Sequence, residues 1–252
     1  MNHVVSGEQV ATSARVCVAT LWFALPHRIL VVACRTTSKL GTPLETKMPD
    51  APLSWPTHGD ALFKHEEVSW HNACLGWSRN DWFGYTEGYR RAAELLLDHV
   101  LQAHGDHDTL IYPIVFSSRH YLEIKLKYLL VAASRLLDRE CTISKSHKLM
   151  LTWRDLRPLL EEIFAGQDRG ELGVVEAVLA EFDSRDGSSM VFRYPEDTKG
   201  QSHQPLSTTI GLENFRATMQ NVSSLLEACD SGFQEYTDSK FDMLGSMDPG
   251  GA

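Results

Sequence analysis

The chain has 252 residues, of which 43% are hydrophobic and 23% charged, an ordinary composition for a globular protein with one main core. Its formal net charge of −9 argues against binding nucleic acid through bulk electrostatics, although a local basic patch remains compatible with it. The five cysteines are odd in number and lack CxxC spacing. They indicate neither a disulfide framework nor a zinc knuckle, and they favour reduced thiols in the cytoplasm.

The first fifty residues differ from the rest and are predicted to be a poorly structured or mis-called N-terminal extension. Residues 16–34 form an apolar stretch about long enough to cross a bilayer, but Pro26, His27 and Arg28 lie at its centre. A charge there costs roughly 2.5–3.5 kcal/mol on insertion, so no stable membrane span is expected. Two interpretations stay open: an export or membrane segment, and an upstream start codon with the functional chain beginning near Met48.

The next stretch, residues 66–230, is predicted to form a helical domain. A first amphipathic helix starts at about Glu87, and its apolar period places Ala92, Leu95, Leu96, His99 and Val100 on one face. The turn HGDHD at 104–108 ends it, with Asp106 or Asp108 as the cap of a second helix that runs to about Asp138. The turn has metal-ligand residue types, but a polar connection between helices looks the same.

Three further helices follow in the sequence. The third has Ser146 as a predicted N-cap and Pro158 as the point where it should kink or restart. Its predicted buried stripe is Leu149, Trp153, Leu156, Leu160 and Ile163. The fourth and fifth helices are predicted within residues 171–182 and 209–229.

The connection at 183–207 is long for a compact domain, which predicts either a functional loop or a small element of its own. A short β-hairpin near residues 190–206, turning at EDTKG, is the predicted element. The polar tail at 231–252 is predicted to be disordered.

The stretch SSRHYLEIKLKYLL at 117–130 places charges within an apolar helix. At 100° per residue, Arg119, Glu123 and Lys127 climb the edge of the core face, and His120 is adjacent. That core face consists of Val115, Leu122, Leu126, Leu129 and Ala133. Exposed i,i+4 pairs contribute only about 0.2–0.5 kcal/mol each. Both a solvated flank and a functional site therefore remain open.

Three blocks in order resemble bacterial proteins of the HEPN (higher eukaryotes and prokaryotes nucleotide-binding) superfamily. They are YPIVFSSRHYLEIKLKYLL at 112–130, SHKLMLTWRDL at 146–156 and FDSRDGSSMVFRYPEDTKG at 182–200. The resemblance implies an all-α antiparallel helical bundle that commonly dimerises. It also implies either a metal-independent ribonuclease of toxin or antiviral-defence systems, or a relative that only binds nucleotides.

The resemblance also assigns roles to residues. Glu123 and Lys127 match its Glu-x-x-x-Lys helix signature, His147 resembles its His-x-Leu helix start, and Arg193 resembles the arginine that opens its catalytic motif. The standard spacing of four to six residues between that arginine and a histidine is missing, because nine residues separate Arg193 from the next histidine, His203.

The predicted catalytic set therefore depends on proximity in the fold. His120 or His147 would supply an imidazole, Arg119 or Arg193 a phosphate clamp, and Glu123 and Lys127 binding groups. No metal or other cofactor is predicted. The predicted partners are RNA or a nucleotide and a second copy of the chain. The alternative is a non-catalytic helical scaffold that dimerises and binds a partner protein or a nucleotide.

The distribution of charge along the chain supports two interpretations equally: an anion-binding site, and electrostatic packing of neighbouring helices. From residue 119 to 157 there are nine Lys and Arg against four Asp and Glu, whereas from 158 to 186 there are two against eight. A basic cleft for a phosphate and complementary packing of neighbouring helices both fit this asymmetry.

Overall fold

The computed structural model describes residues 54–76, 81–166, 170–203 and 209–246. They form a short 3-10 turn, Ser69–His71, and five α-helices. The helices are α1 (Asp81–Ala103), α2 (His107–Leu136), α3 (Leu149–Ile163), α4 (Gly170–Asp186) and α5 (Leu212–Ser246). The prediction of an all-α helical bundle is confirmed. The chain divides into two compact units, Met1–Lys64 and His65–Ala252, and all five helices belong to the second.

Helix α2 is central, because it packs against α1, α3 and α5. All five residues of its predicted core face are buried, and so is the predicted stripe of α3. Burying one such aliphatic side chain contributes roughly 1.5–3 kcal/mol. Helix α4 packs on α3 and adds Val175, Leu179 and Phe182 to the same core.

The buried face of α1 is shifted from the predicted one: of the five predicted residues, Val100 is buried and Leu96 packs, partly buried, against the cluster that contains Val100. The buried apolar residues of α1 are Ala93, Leu97 and Val100, whereas Leu95 is 52% exposed. Three consecutive leucines at 95–97 place an apolar side chain on either of two adjacent faces of the helix. The choice is made by packing against Ile114 of α2, which lies in one cluster with Leu97 and Val100.

The caps differ in chemistry from those predicted. Asp106 occupies the predicted N-cap position of α2, but in a left-handed conformation and without a side-chain cap bond. The N-cap position of α3 is Lys148, not Ser146. The first two amides of α3, of Leu149 and Met150, donate to the carboxylate of Asp183 in α4 at 3.0 and 2.9 Å. Ser146 instead accepts from the amide of Lys148 at 3.2 Å.

The structure also differs from the sequence prediction at Pro158, in the 190–206 connection and at the C-terminal end of the last helix. Helix α3 continues through Pro158 to Ile163. The predicted hairpin reduces to one antiparallel bridge between Glu196 and Ser202. Helix α5 extends to Ser246, so a disordered tail does not begin at residue 231. The predicted extension at 1–50 lies outside the described residues. None of the helices in the described part of the chain is long and apolar enough to span a membrane.

Candidate functional site

The three charged residues at the edge of the α2 core face are enclosed, and Arg119 is 0% exposed. The guanidinium Nη2 of Arg119 donates to the backbone carbonyl of His147 at 2.7 Å. Its Nη1 approaches Glu123 Oε2 at 3.4 Å, and Nη2 lies 3.6 Å from Asp183 Oδ1. We call the group formed by Arg119, Glu123, Lys127, His147, Asp183 and Asp186 the Arg119 cluster. It joins α2, α4 and the start of α3.

Glu123 is the acceptor at the centre of the cluster. Its Oε1 accepts hydrogen bonds from Lys127 Nζ at 2.8 Å and from His147 Nδ1 at 2.9 Å. Burial alone would raise the pKa of Glu123, but the hydrogen bonds and charges of Lys127 and His147 outweigh it and lower that pKa. Glu123 is therefore held as a carboxylate. The His147 Nδ1 donates to it, and 61% of the His147 side chain is exposed.

Asp183 and Asp186 lie in the last turn of α4, at its C-terminal end. Asp186 Oδ1 accepts from the backbone amides of Met190 and Val191 at 2.7 and 3.1 Å, which fixes the start of the following loop. Asp186 Oδ2 and Arg119 Nε are 3.9 Å apart, and neither atom has a hydrogen-bond partner among the described residues. Their contact is ionic, since it exceeds hydrogen-bond reach.

A set of aromatic side chains lies beside the cluster. Phe116 and His120, one turn apart on α2, stack with ring centroids 5.6 Å apart and an interplanar angle of 13°. The Tyr89 ring from α1 is nearly perpendicular to the His120 ring, with the two ring centroids 4.4 Å apart. The Arg193 guanidinium lies 5.3 Å above the Phe116 ring and 5.2 Å from that of Tyr194. We call Tyr89, Tyr112, Phe116, His120, Arg193 and Tyr194 the aromatic surface.

The aromatic surface continues into an open groove. Tyr112 lies one turn before Phe116 and its ring is 6.5 Å from that of Phe192. A groove of about 1020 Å³ is lined there by Tyr112, Arg185, Phe192, Arg193, Tyr194 and His203, among others. Cationic, imidazole and aromatic groups therefore share one accessible face.

His120 connects the two groups electrostatically. Burial lowers the pKa of His120, and the nearby positive charges of Arg119, Arg193 and His147 lower it further against the opposing charge of Glu123. The His120 imidazole therefore stays neutral at pH values below the usual histidine pKa. The neutral imidazole is the form that a general base requires.

The structure brings four of the six predicted site residues into one cluster: Arg119, Glu123, Lys127 and His147. Arg193 and His120 lie apart from them on the aromatic surface. Arg119 has no surface with which to contact a ligand. Of the two arginines predicted as a phosphate clamp, only Arg193 is exposed.

Sequence reasoning missed several residues of this region. Tyr112 and Phe116 were missed, although they precede the predicted His120 at steps of four residues, a spacing that indicates one helix face. Asp183 and Asp186 carry no such signal, because they are more than fifty residues from Arg119 along the chain.

A second buried cation, Lys125, was also missed. Its Nζ lies 2.8 Å from both Glu227 Oε2 and Asp230 Oδ2 of α5. The hydroxyl of Tyr128 donates to Asp230 Oδ1 at 2.9 Å. We call Lys125, Tyr128, Glu227 and Asp230 the Lys125 cluster. It ties α2 to α5 on another side of α2 from the Arg119 cluster.

Among the described residues, no group of three or more His, Cys, Asp and Glu is placed to hold a metal ion. In the HGDHD turn, the ring of His107 lies 3.8 Å from Asp108, and His99 of α1 lies 3.8 Å from Asp106. No protein-family model, curated protein or solved structure matches the chain.

Proposed function

We propose that this chain is a HEPN-like helical module that binds RNA or a nucleotide in the cytoplasm through its aromatic surface. The observation that carries the proposal is the placement of Arg193 over the rings of Phe116 and Tyr194 on an exposed face. A guanidinium stacked on aromatic rings keeps its N–H groups available for phosphate oxygens. Exposed aromatic rings beside it offer faces on which bases stack.

The local character of this surface reconciles binding with the net charge of −9. Bulk attraction to phosphate is weak in such a chain, so affinity must come from a few specific contacts. Stacking and cation–π contacts meet this requirement, since aromatic–base stacking contributes about 1–3 kcal/mol per base.

The Arg119 cluster acts as the support of this surface. It fixes the start of α3, where His147 lies, and through Asp186 the loop that leads to Arg193. Its buried charges are paired with each other, so they position the binding groups. Contact with a ligand is left to His120, Arg193 and the exposed member of the cluster, His147.

Binding is tested with a fluorescently labelled single-stranded RNA oligonucleotide and titration by anisotropy. We expect Arg193→Ala to weaken binding about tenfold and to reduce its salt dependence. Arg154→Ala is the matched control, because Arg154 is a 71% exposed arginine paired with Asp155 on α3, and its loss should leave affinity unchanged. Equal effects of the two substitutions, or no binding by the wild type, would refute the proposal.

Cleavage of RNA without a metal is the second candidate function, favoured by the His147–Glu123 contact. An imidazole held through Nδ1 by a carboxylate presents its Nε2 in a fixed orientation. In this candidate, His120 takes the proton of the 2′-hydroxyl, and the 2′-oxygen attacks phosphorus to form a 2′,3′-cyclic phosphate. The bond from phosphorus to the 5′-oxygen breaks, and protonated His147 returns a proton to that oxygen, with Arg193 beside the phosphate.

Incubation of the RNA with the protein in EDTA, followed by a denaturing gel, tests this second function. We expect fragments with cyclic phosphate ends and a loss of about 10²–10⁴-fold in rate for His120→Asn and for His147→Asn. Because the His120 pKa is lowered, cleavage should persist below the usual histidine pKa. RNA that stays intact while bound would leave the binding function standing and remove catalysis.

A further inference from the structure

A cavity of about 260 Å³ lies between the C-terminal end of α4 and the N-terminal end of α5. Its floor is apolar, because Val115 of α2, Phe182 of α4 and Met219 of α5 are each at most 8% exposed. The rings of Phe182 and Phe215, one from each helix, meet at 76° with centroids 6.2 Å apart. Protein interiors are otherwise close-packed, so an open apolar cavity of this kind indicates a place for a small ligand.

Two opposite charges lie at the rim of the cavity. Glu181 and Arg185, one turn apart on α4, form an ion pair between Glu181 Oε1 and Arg185 Nη2 at 3.1 Å, and their side chains are 64% and 37% exposed. The Nε of Arg185 also lies 3.2 Å from Oε1. Glu181 Oε2 and Arg185 Nη1 take no part in these contacts. The opening therefore presents one cation and one anion side by side, next to an apolar floor.

We infer that this cavity binds a free apolar amino acid. The side chain of such a ligand would be buried against the apolar floor, its α-carboxylate would pair with Arg185, and its α-ammonium would pair with Glu181. Guanidinium groups bind carboxylates well, because two parallel N–H groups can reach the two oxygens. A simple carboxylic acid meets repulsion from Glu181, and a simple amine meets repulsion from Arg185, so only a zwitterion uses both charges.

The size and lining of the cavity favour an aromatic side chain. At roughly 30 Å³ for each water-sized group, 260 Å³ accommodates about eight or nine such groups, which suits a side chain of the size of phenylalanine. Three aromatic rings of the protein line the cavity, those of Phe182, Phe192 and Phe215. Rings attract one another in edge-to-face and offset arrangements beyond the effect of burial alone. Phenylalanine is therefore the amino acid with which binding is tested.

The cavity adjoins the aromatic surface but is a separate site. Arg185 and Phe192 line both the cavity and the open groove. None of the described residues that line the cavity belongs to the aromatic surface. Binding of an amino acid is thus independent of whether the aromatic surface binds RNA, and either can be measured without the other.

The test is isothermal titration calorimetry of the full chain with L-phenylalanine. We expect a dissociation constant on the order of 0.1–1 mM, because so small a ligand offers few contacting atoms. Phenylacetate lacks the ammonium and phenethylamine lacks the carboxylate, so each should bind at least about tenfold more weakly. L-serine should bind more weakly as well, since it has the same charges without an apolar side chain.

Variants of the rim locate the site. Arg185→Ala and Glu181→Gln should each weaken binding of L-phenylalanine at least about tenfold. Arg139→Ala and Glu162→Gln are the matched controls, because Arg139 and Glu162 form another exposed ion pair, at 2.8 Å with side chains 49% and 48% exposed. Both controls should bind as the wild type does. Thr218→Trp places a large ring into the cavity and should abolish binding.

Thermal melts show whether each variant is folded, and the exposed rim substitutions should melt close to the wild type. A wild type that does not bind L-phenylalanine, or that binds phenylacetate equally well, overturns the proposal. Equal losses in the rim variants and in their matched controls would also overturn it. A folded Thr218→Trp protein that binds as the wild type does has the same consequence, because the ligand would then lie elsewhere.

Discussion

Glu123 compensates several cationic groups at once. It accepts from Lys127 and His147 and approaches Arg119, while almost none of its own surface reaches solvent. Removing one partner from a buried ionic group is costly, because the remaining charges stay away from water without compensation. The energetic importance of Glu123 thus exceeds that of an ordinary i,i+4 pair on a helix surface.

We predict that Glu123→Ala lowers the free energy of unfolding by about 3–5 kcal/mol, as expected for a broken buried ion pair. Urea unfolding monitored by circular dichroism measures the change. The matched control is Glu181→Ala, which removes an exposed i,i+4 partner of Arg185 at 3.1 Å and should cost at most about 1 kcal/mol. Similar costs for both variants would contradict the burial of the Arg119 cluster.

At the scale of elements, α3 begins where α4 provides its cap. Two amides at its first turn donate to Asp183, a residue more than thirty positions later in the chain. Capping side chains usually come from the position just before the helix. Ser146, two positions before the N-cap residue Lys148, was the predicted cap. Nothing in the local sequence indicates that a carboxylate from another helix takes this role.

We predict that Asp183→Ala destabilises the protein by about 0.5–2 kcal/mol through loss of this cap, in addition to the loss of its contact with Arg119. Asp183→Asn keeps an amide-accepting oxygen and should recover part of the loss. Ser146→Ala removes only the hydrogen bond to Lys148 and should have the smaller effect in the same unfolding experiment. A Ser146→Ala cost equal to that of Asp183→Ala would refute the assignment.

The predictability of the helices from sequence depended on how unambiguous their apolar pattern is. In α3, the periodic positions are apolar and most of their neighbours polar, so one face is clearly favoured, and that face is buried. In α2 the predicted face is buried too, but so are its apolar neighbours Ile114, Tyr121 and Leu130, because α2 packs against three other helices. In α1, the run of leucines at 95–97 is compatible with burial of either of two helix faces. Packing against Ile114 of α2 determines which one is buried. The local apolar pattern determines that a segment forms a helix, whereas the orientation of that helix in the bundle depends on residues distant in the sequence.

For the molecule as a whole, the site was predictable to the extent that its residues lie on one helix. Arg119, Glu123 and Lys127 are neighbours by helical geometry, and the structure places them together. Their enclosure depends on Asp183, Asp186 and the start of α3, which only the tertiary fold brings close. The same limit hid the Lys125 cluster, since its acidic partners are about one hundred residues away.

The two ionic clusters on different sides of α2 have a consequence for folding specificity. Two apolar helix surfaces can pack in several alternative registers, because leucine packs almost equally well against many aliphatic neighbours. A slip of α5 by a single turn would remove Glu227 and Asp230 from Lys125. A comparable slip of α4 would remove Asp183 and Asp186 from Arg119. Misaligned bundles would thus carry uncompensated ions in their interiors, which widens the energy gap between them and the native arrangement.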